Sequence, residues 1–580
     1  MYCRVLACDF DGTGATDGHF APELAGALAE ARRNGLITLL VTGRVHEEVE
    51  SLCGDLSVFD AVVAENGGVV CFPRQGRTIQ LDEPPPADLL SALRARGVPF
   101  HAGAVVVGTS GRHANDLFEL VRQQGFDGQI VFNRDAAMLL PSGLNKATGV
   151  RRALEEIGRS PHNLVAFGDA ENDLALFALS EVGVAACGAV PAINHKAEDR
   201  LSQPNGAGVA RYIHELLKHG CRLPTAQRHR IVLGADADGP IDVPPSDLHV
   251  LVSGDPHSGK SWLTGLFAER LLERDYRVCL IDPEGDHLSL GQRPGTLILG
   301  REVPLPTPLG LRRLIVDQGR SVVLVLTSLP HQMQRAYVSR AIGALQEAGD
   351  ATGLPHWIAV DEAHYFFEEG AQLPARFDGG TNYLLATYRP SLLSSRVHAA
   401  IGAHLITRTL IEEERYFLTS ILHERGPRDL VPFEALNELE PPRVGLLTDD
   451  AHGPRWRTFM PVARTSAHAH HARKYLTARL PDEQAFWFYP AGSPPVAAHD
   501  VAEFLRAVEV IPLAEIGRHL AAGDFSRWTE DVLADHELAQ AFRKMERRVR
   551  DGAAPNREEL VAHIEDRYQL DGKPEHDVSR

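Results

Sequence analysis

The sequence predicts an α/β protein, with two successive parallel-sheet units followed by a mainly helical C-terminal region. Three observations predict it. Short apolar runs (Val5 to Cys8, Ile37 to Val41, Ala61 to Ala64, Asn163 to Phe167) alternate with amphipathic helical stretches up to about residue 220. A second alternating set (His249 to Val252, Val278 to Ile281, Ser321 to Leu326, Trp357 to Val360) runs from about 247 to 450. Beyond about 465 helical faces dominate, interrupted by one aromatic strand-like segment, Phe486-Trp487-Phe488-Tyr489. Short buried runs separated by helices belong to parallel sheets covered on both faces.

A helix from Gly208 to His219 closes the first unit. Residues 221–246 contain Asp238-Gly239-Pro240 and Pro244-Pro245, and read as a linker or a small strand pair. The expected division is therefore 1–220, a linker at 221–246, 247–460 and 465–570. A length of 580 residues fits two to four domains, and 44% hydrophobic with 23% charged residues is ordinary for a globular chain. The net charge of -18 disfavours an extended nucleic-acid surface, which needs a local excess of Lys and Arg. The seven cysteines are dispersed without a C-x-x-C pair, as in a reduced, cytoplasmic protein. No signal-peptide layout opens the chain, and no apolar stretch is long enough for a membrane-spanning helix.

Asp9-Phe10-Asp11-Gly12-Thr13 follows the first apolar run directly. Strand alternation points Asp9 and Asp11 the same way, past the carboxyl end of the sheet. Two such carboxylates repel unless a cation sits between them, so magnesium is implied. One carboxylate could attack phosphorus, and the other could protonate a leaving group and then activate water. Val41-Thr42-Gly43-Arg44 offers a hydroxyl and backbone N–H groups to a phosphate. Lys146, in Leu144-Asn145-Lys146-Ala147, can neutralise developing charge. Gly168-Asp169-Ala170-Glu171-Asn172-Asp173 supplies oxygen ligands at another strand end.

In that order, these four segments resemble the haloacid dehalogenase (HAD) superfamily, in its Cof-type IIB branch, over about residues 3–218. Ala64-Glu65-Asn66-Gly67-Gly68 is similar to that branch's turn after the third strand. The resemblance implies a Rossmannoid parallel sheet and a phosphatase with an aspartyl-phosphate mechanism. It makes Asp9 the nucleophile, Asp11 the acid/base, Thr42 a phosphate binder, Lys146 the positive group and Asn172 a positioning residue. Magnesium would be held by Asp9, Asp169, Asp173 and the Asp11 backbone carbonyl. A short substrate-selecting cap is implied at about 75–140, where His101, His113 and Arg134 are polar candidates to face a substrate. A small phosphate ester such as a sugar phosphate is the implied substrate.

The second unit carries Gly254-Asp255-Pro256-His257-Ser258-Gly259-Lys260-Ser261 between a strand and a helix, the context of a Walker A loop. Its N–H groups and the helix N-terminus suit the phosphates of ATP, Lys260 the outer phosphates and Ser261 a magnesium ion. Gly254, Ser258 and Gly259 shape the loop. Asp361 and Glu362, ending Trp357 to Val360, match Walker B: Asp361 acts on magnesium and Glu362 polarises water. With Ile281-Asp282-Pro283-Glu284-Gly285-Asp286 and Ala386-Thr387-Tyr388-Arg389-Pro390-Ser391, this region resembles the HerA/FtsK class of motor P-loop NTPases over about 247–450. Tyr388 stands where many relatives have glutamine. Arg408 and Arg389 are each either a finger reaching a neighbour's site or an ion-pair partner. The resemblance implies a homo-oligomer, with a hexameric ring the size to consider.

His468, His470 and His471 lack the converging partners zinc needs, so a polar helical face is expected. In His519 to Trp528, Phe525 and Trp528 suit a core, and Asp524 or Ser526 can cap a helix. This stretch resembles a small accessory domain of unknown function. The combined expectation is a phosphohydrolase joined to an ATP-hydrolysing unit. The alternatives are a DNA-associated translocase whose first unit processes nucleic-acid phosphate ends, and a nucleotide-regulated scaffold with an inactive first unit.

Overall fold

A computed structural model describes the chain except for residues 1, 17–18, 54, 225, 256–257, 372–375, 378–380, 426–432, 437, 451–452, 467–479, 481, 483, 493, 534 and 569–580. The His468, His470 and His471 cluster lies outside the described residues.

The first sheet has eight strands, in the order Asp199–Arg200, Val182–Ala185, Leu164–Gly168, Val5–Asp9, Ile37–Val41, Ala61–Ala64, Val69–Phe72 and Arg77–Gln80. It is parallel from Asp199–Arg200 to Ala61–Ala64, and the last two strands turn back antiparallel. Val5–Asp9 is buried throughout and sits between two parallel neighbours, which is why it reads as an unbroken apolar run. Helices Pro22–Arg33 and Asn205–Lys218 pack together on one face. Helix Lys146–Ile157 covers the other, with Val150, Ala153 and Leu154 in the core beneath it. The closing helix thus begins three residues before the expected Gly208.

Between Arg77–Gln80 and helix Lys146–Ile157 the chain builds a separate layer. Four antiparallel strands run in the order Gly128–Asn133, Ala136–Pro141, Val107–Ser110 and His101–Ala102. Helices Ala87–Ala95 and Ala114–Gln124 bury Leu89, Leu93, Leu117 and Leu120 against Val107 and Leu139 of that sheet. Glu65 ties this layer to the first sheet. Its carboxylate accepts the backbone N–H groups of Ala104 (2.9 Å), Val105 (2.7 Å) and Val106 (3.2 Å).

Residues 221–246 resolve in favour of the strand pair. Ile231–Asp236 and Gly239–Val243 form an antiparallel hairpin that joins the second sheet through Gly453–Pro461. That sheet has eleven strands. Its parallel part runs Ala403–Ile406, Val250–Ser253, Asn382–Thr387, Trp357–Val360, Val278–Asp282, Ser321–Val325 and Thr296–Leu299. The 22-residue helix His331–Thr352 buries Val338, Ile342 and Leu345 against it. A continuous apolar core joins the two sheet units, running from Val165 and Leu223 to Phe267, Tyr276 and Trp357.

The C-terminal region is a hairpin of Phe486–Phe488 with Val496–Ala498, followed by five helices from Val501 to Tyr568. Phe525 and Trp528 lie in its core, as expected. The expected cap differs. Gly523, left-handed at φ +74°, is the N-cap of Asp524–Asp531, and the free N–H of Ser526 in the first turn is taken by the Glu546 carboxylate (2.8 Å). Asp524 bonds His519 Nδ1 instead (2.7 Å), and Ser526 Oγ donates to Glu546 (2.6 Å). Among the described residues, no helix is long and apolar enough to cross a membrane.

Candidate functional site

The carboxyl ends of the parallel strands in the first sheet gather the acids. Asp9 is the last residue of Val5–Asp9, and Asp169 follows directly on Leu164–Gly168, the neighbouring strand. Asp173 comes one turn later. Its Oδ2 turns back to accept the N–H groups of Asp169 (3.0 Å) and Ala170 (3.1 Å). One oxygen from each of Asp9, Asp169 and Asp173 lies within 4.8 Å of the others, and all three side chains are buried.

Lys146 enters the cluster from the first position of its helix. Asn145 caps that helix, accepting Thr148 N–H (3.2 Å) while its own N–H bonds Thr148 Oγ1 (3.0 Å). Lys146 Nζ donates to Asp9 Oδ1 and to Asp173 Oδ1, each at 2.6 Å. Arg134, from the turn of the Gly128–Asn133 and Ala136–Pro141 hairpin, donates Nε to Asp169 Oδ2 (3.0 Å). Three buried acids thus face two cations, Lys146 buried among them and Arg134 reaching in from a half-exposed position. Burial, then Asp173 and Asp169, push the Asp9 carboxyl well above the ordinary range despite Lys146. Burial opposes the Lys146 ammonium, yet Asp173 and Asp9 hold it above its usual range. The surplus negative charge and the hard oxygen donors fit a magnesium ion.

Gly12 makes the close approach possible. It turns at φ +75°, and a Cβ there would stand 2.5 Å from Asp169 Oδ2. Thr42 is buried at the end of Ile37–Val41, its Oγ1 accepting Arg44 N–H (3.1 Å). Asn172 Nδ2 donates to Asn66 Oδ1 (3.1 Å), tying the Asp169 loop to the turn after Ala61–Ala64. Asp11 alone of the expected carboxylates stands outside the cluster. Its side chain is half-exposed and clamped by Arg44, with Nε and Nη2 donating at 2.8 and 2.7 Å.

Of the cap candidates, Arg134 reaches the acids, His113 pairs with Asp116 (3.1 Å), and His101 is exposed on the edge strand. Sequence reasoning did not assign Arg44 or Glu65. Both stand inside segments quoted for other residues, Val41 to Arg44 and Ala64 to Gly68, and that was the available signal.

The second sheet has its own cluster at the carboxyl ends of its parallel strands. Val250–Ser253 leads through the glycine loop into helix Lys260–Leu272, whose N-cap is Gly259. Pro256 and His257 lie outside the described residues. Gly254 passes so close to Thr407 that a Cβ would meet its Oγ1 at 1.9 Å. Ser258 Oγ bonds Thr407 Oγ1 (2.5 Å), and Lys260 Nζ donates to the Asp255 carbonyl (2.8 Å). Burial lowers the Lys260 ammonium against the pull of Glu362 and Asp361. Ser261 is half-buried in the same first turn.

Asp361 accepts His287 Nε2 (2.9 Å). Glu362 is left-handed at φ +47°, and its Oε2 is buried with no hydrogen-bond partner. Burial, followed by Asp361 and Glu284, pushes the Glu362 carboxyl up to about 9. Tyr388 lays its ring 5.9 Å from Lys260 Nζ. Arg389 pairs with Glu414 (3.0 Å), while Arg408 keeps a buried Nε with no hydrogen-bond partner. His287 was missed by sequence reasoning, since nothing in its spacing ties it to Asp361.

Comparison with known proteins matches residues 6–97 and 102–213 to the haloacid dehalogenase-like hydrolase model. Phosphoglycolate phosphatase 2 of Saccharolobus solfataricus is 26% identical over 223 residues, covering 37% of this chain and 92% of that protein. The phosphoglycolate phosphatase of Halorubrum lacusprofundi is 30% identical over 193 residues, covering 30% of this chain and 80% of that protein. A solved haloacid dehalogenase-like hydrolase from B. subtilis covers 37% of this chain and 99% of its own, at 19% identity and a TM-score of 0.33. Through its N-terminal unit, the chain belongs to the haloacid dehalogenase-like hydrolase family.

Proposed function

We propose that the N-terminal unit hydrolyses small phosphate monoesters through Asp9, and that the second unit binds and hydrolyses ATP. The observation carrying the first half is the buried Asp9 carboxylate, bonded by Lys146 and crowded by Asp169 and Asp173 at a strand end. An Asp9 oxygen attacks phosphorus as the ester P–O bond breaks, leaving an aspartyl-phosphate. The departing alkoxide takes its proton from Asp11, which leaves Arg44 to reach it. The Asp11 carboxylate then takes a proton from water, which attacks the same phosphorus, frees Asp9 and releases inorganic phosphate. Lys146 and the Thr42 hydroxyl hold phosphate oxygens, and Asn172 keeps the Asp169 loop in register. Asp9, Asp169 and Asp173, with the Asp11 carbonyl, would hold a magnesium ion, which supplies positive charge for carboxylate and phosphate oxygens.

The relatives named as phosphoglycolate phosphatases favour a small, anionic phosphate ester. Arg134, reaching in from the cap, is placed to meet such an anion once a cation takes over Asp169. The decisive assay is phosphate release from p-nitrophenyl phosphate by the full-length chain with magnesium. Asp9→Asn should abolish it, and full retention of activity would refute the assignment.

For the second unit, the support is Lys260 at a helix start beneath a glycine loop, opposite Asp361 and Glu362. The loop N–H groups would take the phosphates, and Lys260 the outer ones. Ser261 and Asp361 would hold its magnesium ion, and Glu362 would draw the proton from the attacking water. ATP turnover by the full-length chain, lost in Lys260→Ala, tests this reading. Linkage of the two reactions is tested in the same variant: unchanged phosphatase kinetics would show that they run independently.

A further inference from the structure

Away from both clusters, the two sheet units meet at a buried polar junction that no step above uses. His162 lies in the turn Pro161–Asn163 just before Leu164–Gly168, and Glu181 just before Val182–Ala185. His229 lies in the turn Gln227–His229 that precedes the hairpin. Glu181 is 0% exposed and His162 5%, while the His229 side chain is 12% exposed. His162 Nδ1 lies 2.8 Å from Glu181 Oε2, and His229 Nε2 lies 3.7 Å from the same oxygen. All three atoms fall within 4.8 Å of one another.

The second unit supplies the outer partners. His162 Nε2 donates to the Arg274 carbonyl (2.6 Å), so in the neutral ring the Nδ1 lone pair faces Glu181. Tyr276 OH donates to Glu181 Oε2 (3.1 Å), and its ring stacks on His162 at 3.7 Å between centroids. An imidazole whose far N–H meets a carbonyl, beside a carboxylate held by a phenol, is the outer shell that orients metal ligands. A proton can bridge only His162 and Glu181, whereas a cation engages His229 as well. Ligand atoms about 2.0–2.1 Å from a tetrahedral zinc ion stand roughly 3.3 Å apart. The observed 2.8 and 3.7 Å straddle that spacing. The adjacent Arg228 is already paired with Glu198. His229 Nε2 gives up a 3.4 Å contact with the Ser180 carbonyl on ligating.

We propose that His162 Nδ1, Glu181 and His229 Nε2 form a site for a divalent first-row transition ion, zinc in kind, that fastens the two sheet units together. Two imidazoles and one carboxylate select such an ion over magnesium, which the all-carboxylate Asp9 cluster suits. The junction lies at the amino ends of strands whose carboxyl ends carry Asp169 and Asp282, so its ion would be structural. This inference does not rest on either proposed reaction.

The test uses the full-length chain grown with added zinc, desalted and analysed for bound metals. About one zinc per chain is expected in the wild type and in Asp169→Asn, with loss in Glu181→Gln and His229→Gln. A chelator should lower the wild-type Tm and leave that of Glu181→Gln unmoved. Should those variants fail to fold, cobalt(II) titration of the wild type gives the second reading. A visible spectrum of tetrahedral intensity, displaced by zinc and not by magnesium, is expected. A wild type that retains no zinc, equal zinc in Glu181→Gln, or a cobalt signal displaced by magnesium would each overturn the site. The first of these leaves a proton-bridged His162–Glu181 pair.

Discussion

Lys146 Nζ lies 2.6 Å from Asp9 Oδ1, and both side chains are buried. Removing one member of a buried pair strands the other's charge, at a cost of about 3–5 kcal/mol. Here the loss is sharper, because Lys146 also serves Asp173 at 2.6 Å. Lys146→Met, which keeps most of the volume, should therefore lower the stability of the first unit by that order. It should also cut phosphate release by roughly 100-fold or more, as for loss of one preorganised charge-stabilising group. Denaturant unfolding and p-nitrophenyl phosphate kinetics measure the two effects separately.

The raised Asp9 carboxyl makes metal-free stability depend on pH in a stated direction. Burial and the neighbouring Asp173 and Asp169 keep its proton bound above the ordinary 3.8. The unfolded chain releases that proton near 3.8, so above that pH the native state holds more protons and stability falls as pH rises. In chelator, the Tm of the wild type should decline from about pH 4 upward until Asp9 ionises in the native state. Asp9→Asn should remove that part of the slope and unfold later at neutral pH. Added magnesium should raise the wild-type Tm more than that of Asp9→Asn. A wild type and variant with identical pH profiles in chelator would contradict the charge surplus.

Gly12 tests the geometry without touching a charge. A Cβ at this position, with φ +75°, would meet Asp169 Oδ2 at 2.5 Å. The left-handed backbone adds about 1–2 kcal/mol for any other L-residue. Gly12→Ala should push Asp169 away from Asp9, weaken magnesium activation at least about tenfold, and lower the Tm by a few degrees. Magnesium dependence of the rate, fitted for both proteins, reads the first effect directly.

The acid cluster was largely legible in the sequence, and its outer partners were not. Asp9 and Asp169 end or follow apolar runs, and the resemblance to the haloacid dehalogenase superfamily implies that the two meet, as they do at the ends of neighbouring strands. Lys146 opens an evident helix behind Asn145. Asp11 was expected to share the strand alternation of Asp9, yet the strand ends at Asp9 and the chain turns at Phe10, so the Asp11 side chain leaves the cluster and pairs with Arg44. The junction of His162, Glu181 and His229 left no spacing signal at all. Its members precede strands or a hairpin on separate segments, and tertiary packing alone brings them to Tyr276. The same limit applies to the Asp524 cap, where the left-handed Gly523 took the N-cap and His519 took the carboxylate.

Glu362 offers the sharpest separation of binding from chemistry in the second unit. Its left-handed backbone, φ +47°, aims the side chain out of line with the strand that delivers Asp361. One oxygen is buried without a hydrogen-bond partner, and the carboxyl is pushed up to about 9 by burial, Asp361 and Glu284. A group so placed is costly to keep unless a water or phosphate oxygen meets it in the working state. Glu362→Gln keeps the shape and removes the base. ATP turnover should fall by about 100-fold or more, in line with loss of a general base. Affinity for a fluorescent ATP analogue should change less than about threefold, since the loop and Lys260 bind the phosphates without Glu362. Wild-type turnover in this variant would remove Glu362 from the reaction. Lost binding would instead show that its carboxylate holds the loop and Lys260 in place.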